Sequence, residues 1–175
     1  MSNPAPMAAD ELVSLYNLAP HPEGGFYKRS YASPVVIALP NGKSRPSCTA
    51  VLFLLAAGQK SHLHRLVSDE LWHFYMGGPL EICMLLPTGE LQQVILGSDV
   101  RAGQSLQVVV PAGCWFGARL LSPSFCFFSC SVSPGFDFED FELATPEICA
   151  ELVVAFPHAA DMIRSLALPP AAKLE

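Results

Sequence analysis

The sequence predicts an all-β chain, an antiparallel sandwich or barrel with a helix at its N-terminal end and short helices at its C-terminal end. Three observations carry this. From residue 25 to about 132, short apolar or alternating runs follow one another at close, regular spacing. Each run is closed by residues that supply bent or left-handed backbone. Helical apolar spacing occurs only outside that span.

Taken in order, residues 8–18 read as a short amphipathic helix with Leu12, Leu15, Tyr16 and Leu18 on one side and Asp10 in the capping position. The segment APHPEGG that follows is irregular, because its prolines block helix continuation and Gly24-Gly25 opens backbone conformations other residues avoid. Strands are expected at 25–31, 47–57, 60–66, 69–76, 79–86, 91–97, 105–110, 114–121 and 124–132. The breaks between them include Pro40-Asn41-Gly42, Gly77-Gly78, Pro87-Thr88-Gly89 and Pro111-Ala112-Gly113. Thr145-Pro146-Glu147 then starts a helix, threonine capping and proline in the first turn, and helical spacing over 146–155 and 158–167 is interrupted by Pro157. One domain over 8–167 is expected, with frayed Pro/Ala-rich ends at 1–7 and 168–175.

Composition excludes several classes. Hydrophobic residues make up 51% of the 175 and charged residues 15%, too apolar for disorder and suggestive of a large core or a homodimer face. The net charge is −6 and there is no basic stripe, so nucleic acid is not an expected partner. No run of eighteen apolar residues occurs and the start lacks a charged segment followed by an apolar core, so neither membrane nor secretion is expected. Six cysteines spread through apolar runs without a C-x-x-C pair read as buried side chains in a reducing compartment; a cytoplasmic location is the expectation.

The chemistry concentrates in SHLHRLVSDELWHFYMGG, residues 61–78. In a regular strand His62 and His64 leave the same face, and Glu70 on the next strand adds a carboxylate. Such a set suits iron, manganese or zinc with positions left open. It equally suits a polar barrel interior that hydrogen-bonds an organic ligand without metal, and both readings stay open. His73 is three places from Glu70 and faces the opposite side in a regular strand, so it is a third ligand only if a bulge intervenes.

Gly58, His62, His64, Glu70 and Gly77 resemble the first motif of the cupins, and Gly103 with Pro111-Ala112-Gly113 resembles the second. The second motif's histidine is replaced by Phe116, which puts a metal in doubt. HPEGGFYKRSY (21–31), residues 53–80, VPAGCWFGA (110–118) and SVSPGFDFEDFELA (131–144) together look like a family of small single-domain cupins whose biochemical role is unassigned, within the RmlC-like jelly-roll superfamily. The resemblance spans residues 11 to 165. It implies a double-stranded β-helix, the jelly-roll barrel, usually dimeric, in a class that includes sugar-nucleotide epimerases, isomerases and metal-dependent dioxygenases.

On that frame, Trp115 or Phe116 is expected at the barrel mouth as a flat wall for a sugar ring or base. Glu23, Arg29 and Arg65 are the candidate substrate-binding residues, the arginines for an anionic group. His62, His64 and Glu70 are the candidate catalytic residues, exchanging protons beside a carbonyl. The expected function is binding of a small polar metabolite, a sugar or nucleotide-like molecule, with epimerase- or isomerase-like chemistry. The alternatives are a mononuclear metal enzyme, an oxygenase or isomerase using the same three residues, and a non-catalytic ligand-binding or scaffold protein. The aromatics Phe136, Phe138 and Phe141 either belong to an edge or connecting strand with a solvated side, or close the cavity or a dimer seam.

Overall fold

The computed structural model describes residues 7–169; the ends expected to fray fall mostly outside the described residues. Helix α1 (Ala9–Tyr16) opens the chain. Thirteen strands follow: β1 (Ala19–Pro20), β2 (Phe26–Ala32), β3 (Val36–Ala38), β4 (Ser44–Pro46), β5 (Thr49–Leu55), β6 (Lys60–Leu66), β7 (Asp69–Gly77), β8 (Leu80–Leu85), β9 (Leu91–Leu96), β10 (Gln107–Val110), β11 (Trp115–Leu120), β12 (Cys126–Ser133) and β13 (Phe141–Leu143). Helices α2 (Pro146–Ala155) and α3 (Ala160–Leu166) end the described chain. The nine expected strands are all present. The four extra ones are two or three residues long, too short to show alternation.

Two antiparallel sheets face each other, one in the order β1-β2-β5-β12-β7-β10 and the other β13-β6-β11-β8-β9, while β3 and β4 form a separate hairpin. Successive strands thus shuttle between layers, the wiring of a jelly roll. The core lies between the sheets, where Phe53, Leu55, Trp72, Ile82, Met84, Leu96, Phe116 and Phe128 interdigitate. Trp72 stacks on Phe128 with ring centroids 4.6 Å apart, and Phe128 on Phe53 at 5.2 Å.

The helices cover the outer faces. Leu12 of α1 packs with Leu18, Leu54 and Phe127 on the back of the six-stranded sheet. The cap of α1 is Ala8, whose amide is met by the Glu11 carboxylate at 2.7 Å; Asp10, expected there, lies in the first turn. Thr145 caps α2 as expected, accepting from the Ile148 amide at 3.3 Å. From α2 and α3, Cys149, Leu152, Met162, Ile163 and Leu166 bury against Leu63, Leu85 and Trp115 on the back of the five-stranded sheet. No helix among the described residues is long and apolar enough to cross a membrane.

Two irregularities position the site. A tight turn, with Gly24 N–H donating to His21 O at 2.9 Å and His21 N–H to Gly25 O at 3.0 Å, carries His21 and Glu23 to one end of the barrel. Gly24 has φ +107° and a Cβ there would stand 2.2 Å from the Lys60 carbonyl oxygen, so glycine is required on both counts. The second irregularity is in β6. Phe116 pairs with His64 but Ala118 pairs with Ser61, so His62 and Leu63 together oppose Gly117 in a β-bulge.

Candidate functional site

The bulge decides which side chains of β6 enter the barrel. Ser61, His64 and Leu66 point inward, whereas Leu63 packs under the C-terminal helices and His62 turns to the outer surface, its ring Nδ1 3.2 Å from the Leu166 carbonyl oxygen. The expectation that His62 and His64 share a face is therefore corrected: an extra residue between them breaks the strand's two-residue period.

His64 and Glu70 instead meet Glu23 and His21 around a largely enclosed chamber of about 40 Å³. Tyr27, Val51, Phe53, Trp72, Phe136 and Phe141 wall it. The space holds roughly three water molecules.

The hydrogen bonds fix where protons sit. His64 Nδ1 lies 2.7 Å from the His62 carbonyl oxygen and must donate to it, which leaves Nε2 with a lone pair in the neutral ring. The backbone amide of Glu23 donates to His21 Nδ1 at 3.3 Å, so that nitrogen is a lone-pair acceptor too. Glu23 Oε2 stands 3.3 Å from His21 Nδ1 and 3.4 Å from His64 Nε2, and Ser61 Oγ donates to Glu23 Oε1 at 2.7 Å. An oxygen facing two lone pairs is best satisfied when it carries the proton.

Electrostatics agree. Burial raises Glu23 to about 8, the Ser61 bond opposing. Burial also raises Glu70 to about 7; nearby His64 opposes the shift and Glu23 adds to it. Burial, with His64 adding, lowers His21 to about 4, and burial lowers His64 despite the Glu70 charge. Glu70 is held by Trp72 Nε1–H, which donates to Oε2 at 2.8 Å, and by the Cys130 thiol. The same burial, with both carboxyls adding, puts the Cys130 thiol well above its ordinary value, so it serves as a weak donor and not as a thiolate.

The other candidates are dispersed. Arg29 shares its face of β2 with Tyr27 and lines the chamber at its mouth, its Nη2 donating weakly to the Phe136 carbonyl at 3.4 Å. Arg65 does not reach the cavity: it is half-exposed on the outer side, ion-paired with Glu142 and lying 4.7 Å over the Trp115 ring. Trp115 is under the C-terminal helices, and Phe116 is buried behind His64 at a ring distance of 4.0 Å. Neither forms a wall at the mouth; Phe136 and Phe141 do, and Phe138 stacks against His21 beside them. His73 faces outward, 2.9 Å from Ser131 Oγ and 2.8 Å from Gln107 Nε2. The residues that sequence reasoning missed are His21 and Cys130. His21 had a signal, since the alternation His21-Pro22-Glu23 ahead of two glycines puts two titratable side chains at one turn.

The metal set expected from His62, His64 and Glu70 does not assemble. Among the described residues no group of three or more His, Cys, Asp or Glu side chains could hold a metal ion. The physical reason is that His62 is outside the chamber and the position of a further histidine is filled by Phe116, packed against His64.

Two facing antiparallel sheets with a polar cluster enclosed at one end of the barrel define a cupin. The chain belongs to the family described as Cupin_5, cupin superfamily (DUF985), whose model matches residues 10–144. It is similar to a solved protein of Shewanella oneidensis, at 38% identity and TM-score 0.84 over 94% of this chain and all of that one. A hypothetical protein from Leishmania major is also similar, at 32% identity and TM-score 0.85 over 93% of this chain and 100% of that one. An uncharacterized protein of Saccharomyces cerevisiae is 28% identical over 172 residues, covering 84% of this chain and 85% of the yeast protein.

Proposed function

We propose that this cupin binds a small polar metabolite at the chamber and moves protons on it, as an isomerase or epimerase does, without metal. One observation carries the reading: Glu23 Oε2 lies between two unprotonated imidazole nitrogens, with a second buried carboxyl, Glu70, beside them. Proton transfer needs an acid and a base of matched strength that share an enclosed space. Glu23 is a carboxyl kept protonated at neutral pH, suited to donate to a carbonyl oxygen. Glu70 at about 7 and neutral His64 are suited to accept a proton from the adjacent carbon. The proton leaves carbon for the base, the bond pair moves toward oxygen, and Glu23 protonates that oxygen; reversal on the neighbouring carbon or the opposite face completes an isomerisation or an epimerisation. No oxidant enters. The chamber's size limits the enclosed part of the ligand to a few heavy atoms, so a sugar or nucleotide-like molecule would extend past Arg29.

The test is a panel of short hydroxy-aldehydes and hydroxy-ketones incubated with the protein in D2O and followed by NMR. Deuterium incorporation next to the carbonyl is expected, with loss in His64→Ala and Glu23→Gln. A panel showing no exchange above the protein-free rate refutes the proposal.

A further inference from the structure

Resting on that reading, we infer that the ligand carries a phosphate group outside the chamber, held at the mouth by the Arg29 guanidinium with Lys28 beside it. Arg29 borders two spaces at once. It lines the inner chamber together with Glu23, His64 and Glu70, and it lines a separate outer cleft of about 490 Å³ with Asn17, Tyr27, Lys28 and Phe138. Tyr27 is the other residue common to both. The two spaces therefore share a wall at one step of β2.

The cations at this step are uncommitted. Arg45, Arg65, Arg119 and Arg164 each have a carboxylate within 4.0 Å, whereas among the described residues Arg29 and Lys28, like Arg101 and Lys60, have none. Among the described residues the one polar contact of the Arg29 side chain is the long bond to the Phe136 carbonyl, which leaves most of its forked donors facing solvent. In a chain of net charge −6, the outer cleft is lined by two cations, Lys28 and Arg29, against one carboxylate, Asp137. Asp137, also on the outer cleft, has its Oδ1 engaged by the Glu139 amide at 2.9 Å.

The inner chamber selects against charge. Glu23 holds its proton, Glu70 is the only group inside that takes charge and that charge is negative, and the imidazoles are neutral, so a dianion would find no cation inside and would stay at the mouth. A carboxylate would need one forked donor; Arg29, with Lys28 lining the same outer cleft from the other face of β2, matches the greater charge of a phosphate monoester. The ligand is thus bipartite, with a small uncharged carbonyl and hydroxyl head inside and a phosphate outside.

The experiment compares dihydroxyacetone with dihydroxyacetone phosphate, by calorimetry and by the D2O exchange assay, on the full chain. The phosphorylated probe is expected to bind at least about tenfold more tightly, the preference weakening with added salt. Arg29→Gln is expected to abolish that preference and Lys28→Ala to reduce it. Arg65→Ala, whose arginine is outside the cavity, should keep it. Equal affinity for the two probes, binding of neither, or a preference that survives in Arg29→Gln overturns the inference, and exchange on the unphosphorylated panel would still stand for the proton-transfer reading. An Arg29-dependent phosphate preference without any exchange supports the inference and removes the proton-transfer reading.

Discussion

Replacing Glu23 by glutamine tests the protonated carboxyl directly. The amide keeps an oxygen where Ser61 Oγ donates, and its NH2 group occupies the position of Oε2, facing His21 Nδ1 at 3.3 Å and His64 Nε2 at 3.4 Å. Glutamine therefore reproduces the neutral acid and cannot ionise. In the wild type the folded-state value of about 8 lies above the ordinary 4.5, so the folded chain binds the proton more tightly than the unfolded one. The sign follows: this contribution to stability is complete below 4.5 and is lost as pH rises through about 8. Over most of that window stability falls by about 1.4 kcal/mol per pH unit, which gives about 3 kcal/mol between roughly pH 5 and pH 8. Glu23→Gln is free of that loss. Urea unfolding at a series of pH values should show the variant near the wild type at the acid end and about 3 kcal/mol more stable, relative to it, at the alkaline end. Parallel stability curves for the two proteins would refute the reasoning, because they would mean that Glu23 titrates alike folded and unfolded.

His21, whose folded value is lowered to about 4, acts in the opposite sense to Glu23: its contribution is present above 6.5 and is lost as pH falls toward 4, as is that of His64, and His21→Asn should make thermal melts less sensitive to acid than those of the wild type. Gly24→Ala forces a side chain at φ +107° into the Lys60 carbonyl and should cost about 3 kcal/mol in chemical unfolding while displacing Glu23 and its exchange activity. His64→Ala should abolish deuterium exchange with the fold retained by circular dichroism. His62→Ala should leave exchange intact and lower Tm through the lost contact with the Leu166 carbonyl; equal loss of exchange in both would return His62 to the site.

Much of the fold is legible because the long strands obey a period of two with turn residues between them. In β12, Phe128, Cys130 and Val132 are buried inward while Ser129 and Ser131 face out toward Tyr75 and His73, an alternation visible in the bare sequence. The hairpin of β3 and β4 was not legible. Its pairing rests on a few residues, and its anchor is Arg45, bonded at 2.7 Å to Asp140 ninety-five positions away, which no local pattern encodes.

The site shows where a period argument ends. Regular alternation over residues 60–66 offers two faces, one with Ser61, Leu63 and Arg65 and the other with Lys60, His62, His64 and Leu66. Neither is cleanly polar or apolar, and that mixture is the trace of the bulge: shifting phase between Ser61 and His64 yields an inward set of Ser61, His64 and Leu66 and an outward set that includes His62 and Arg65. The consequence is chemical. With its neighbour turned away, His64 gains the His62 carbonyl as the acceptor for its Nδ1–H, and its free nitrogen faces a protonated carboxyl from a distant turn. One extra residue in β6 thus separates the two imidazoles and leaves His64 facing the Glu23 carboxyl, and the Phe116 ring against His64 adds an apolar wall that disfavours charge there.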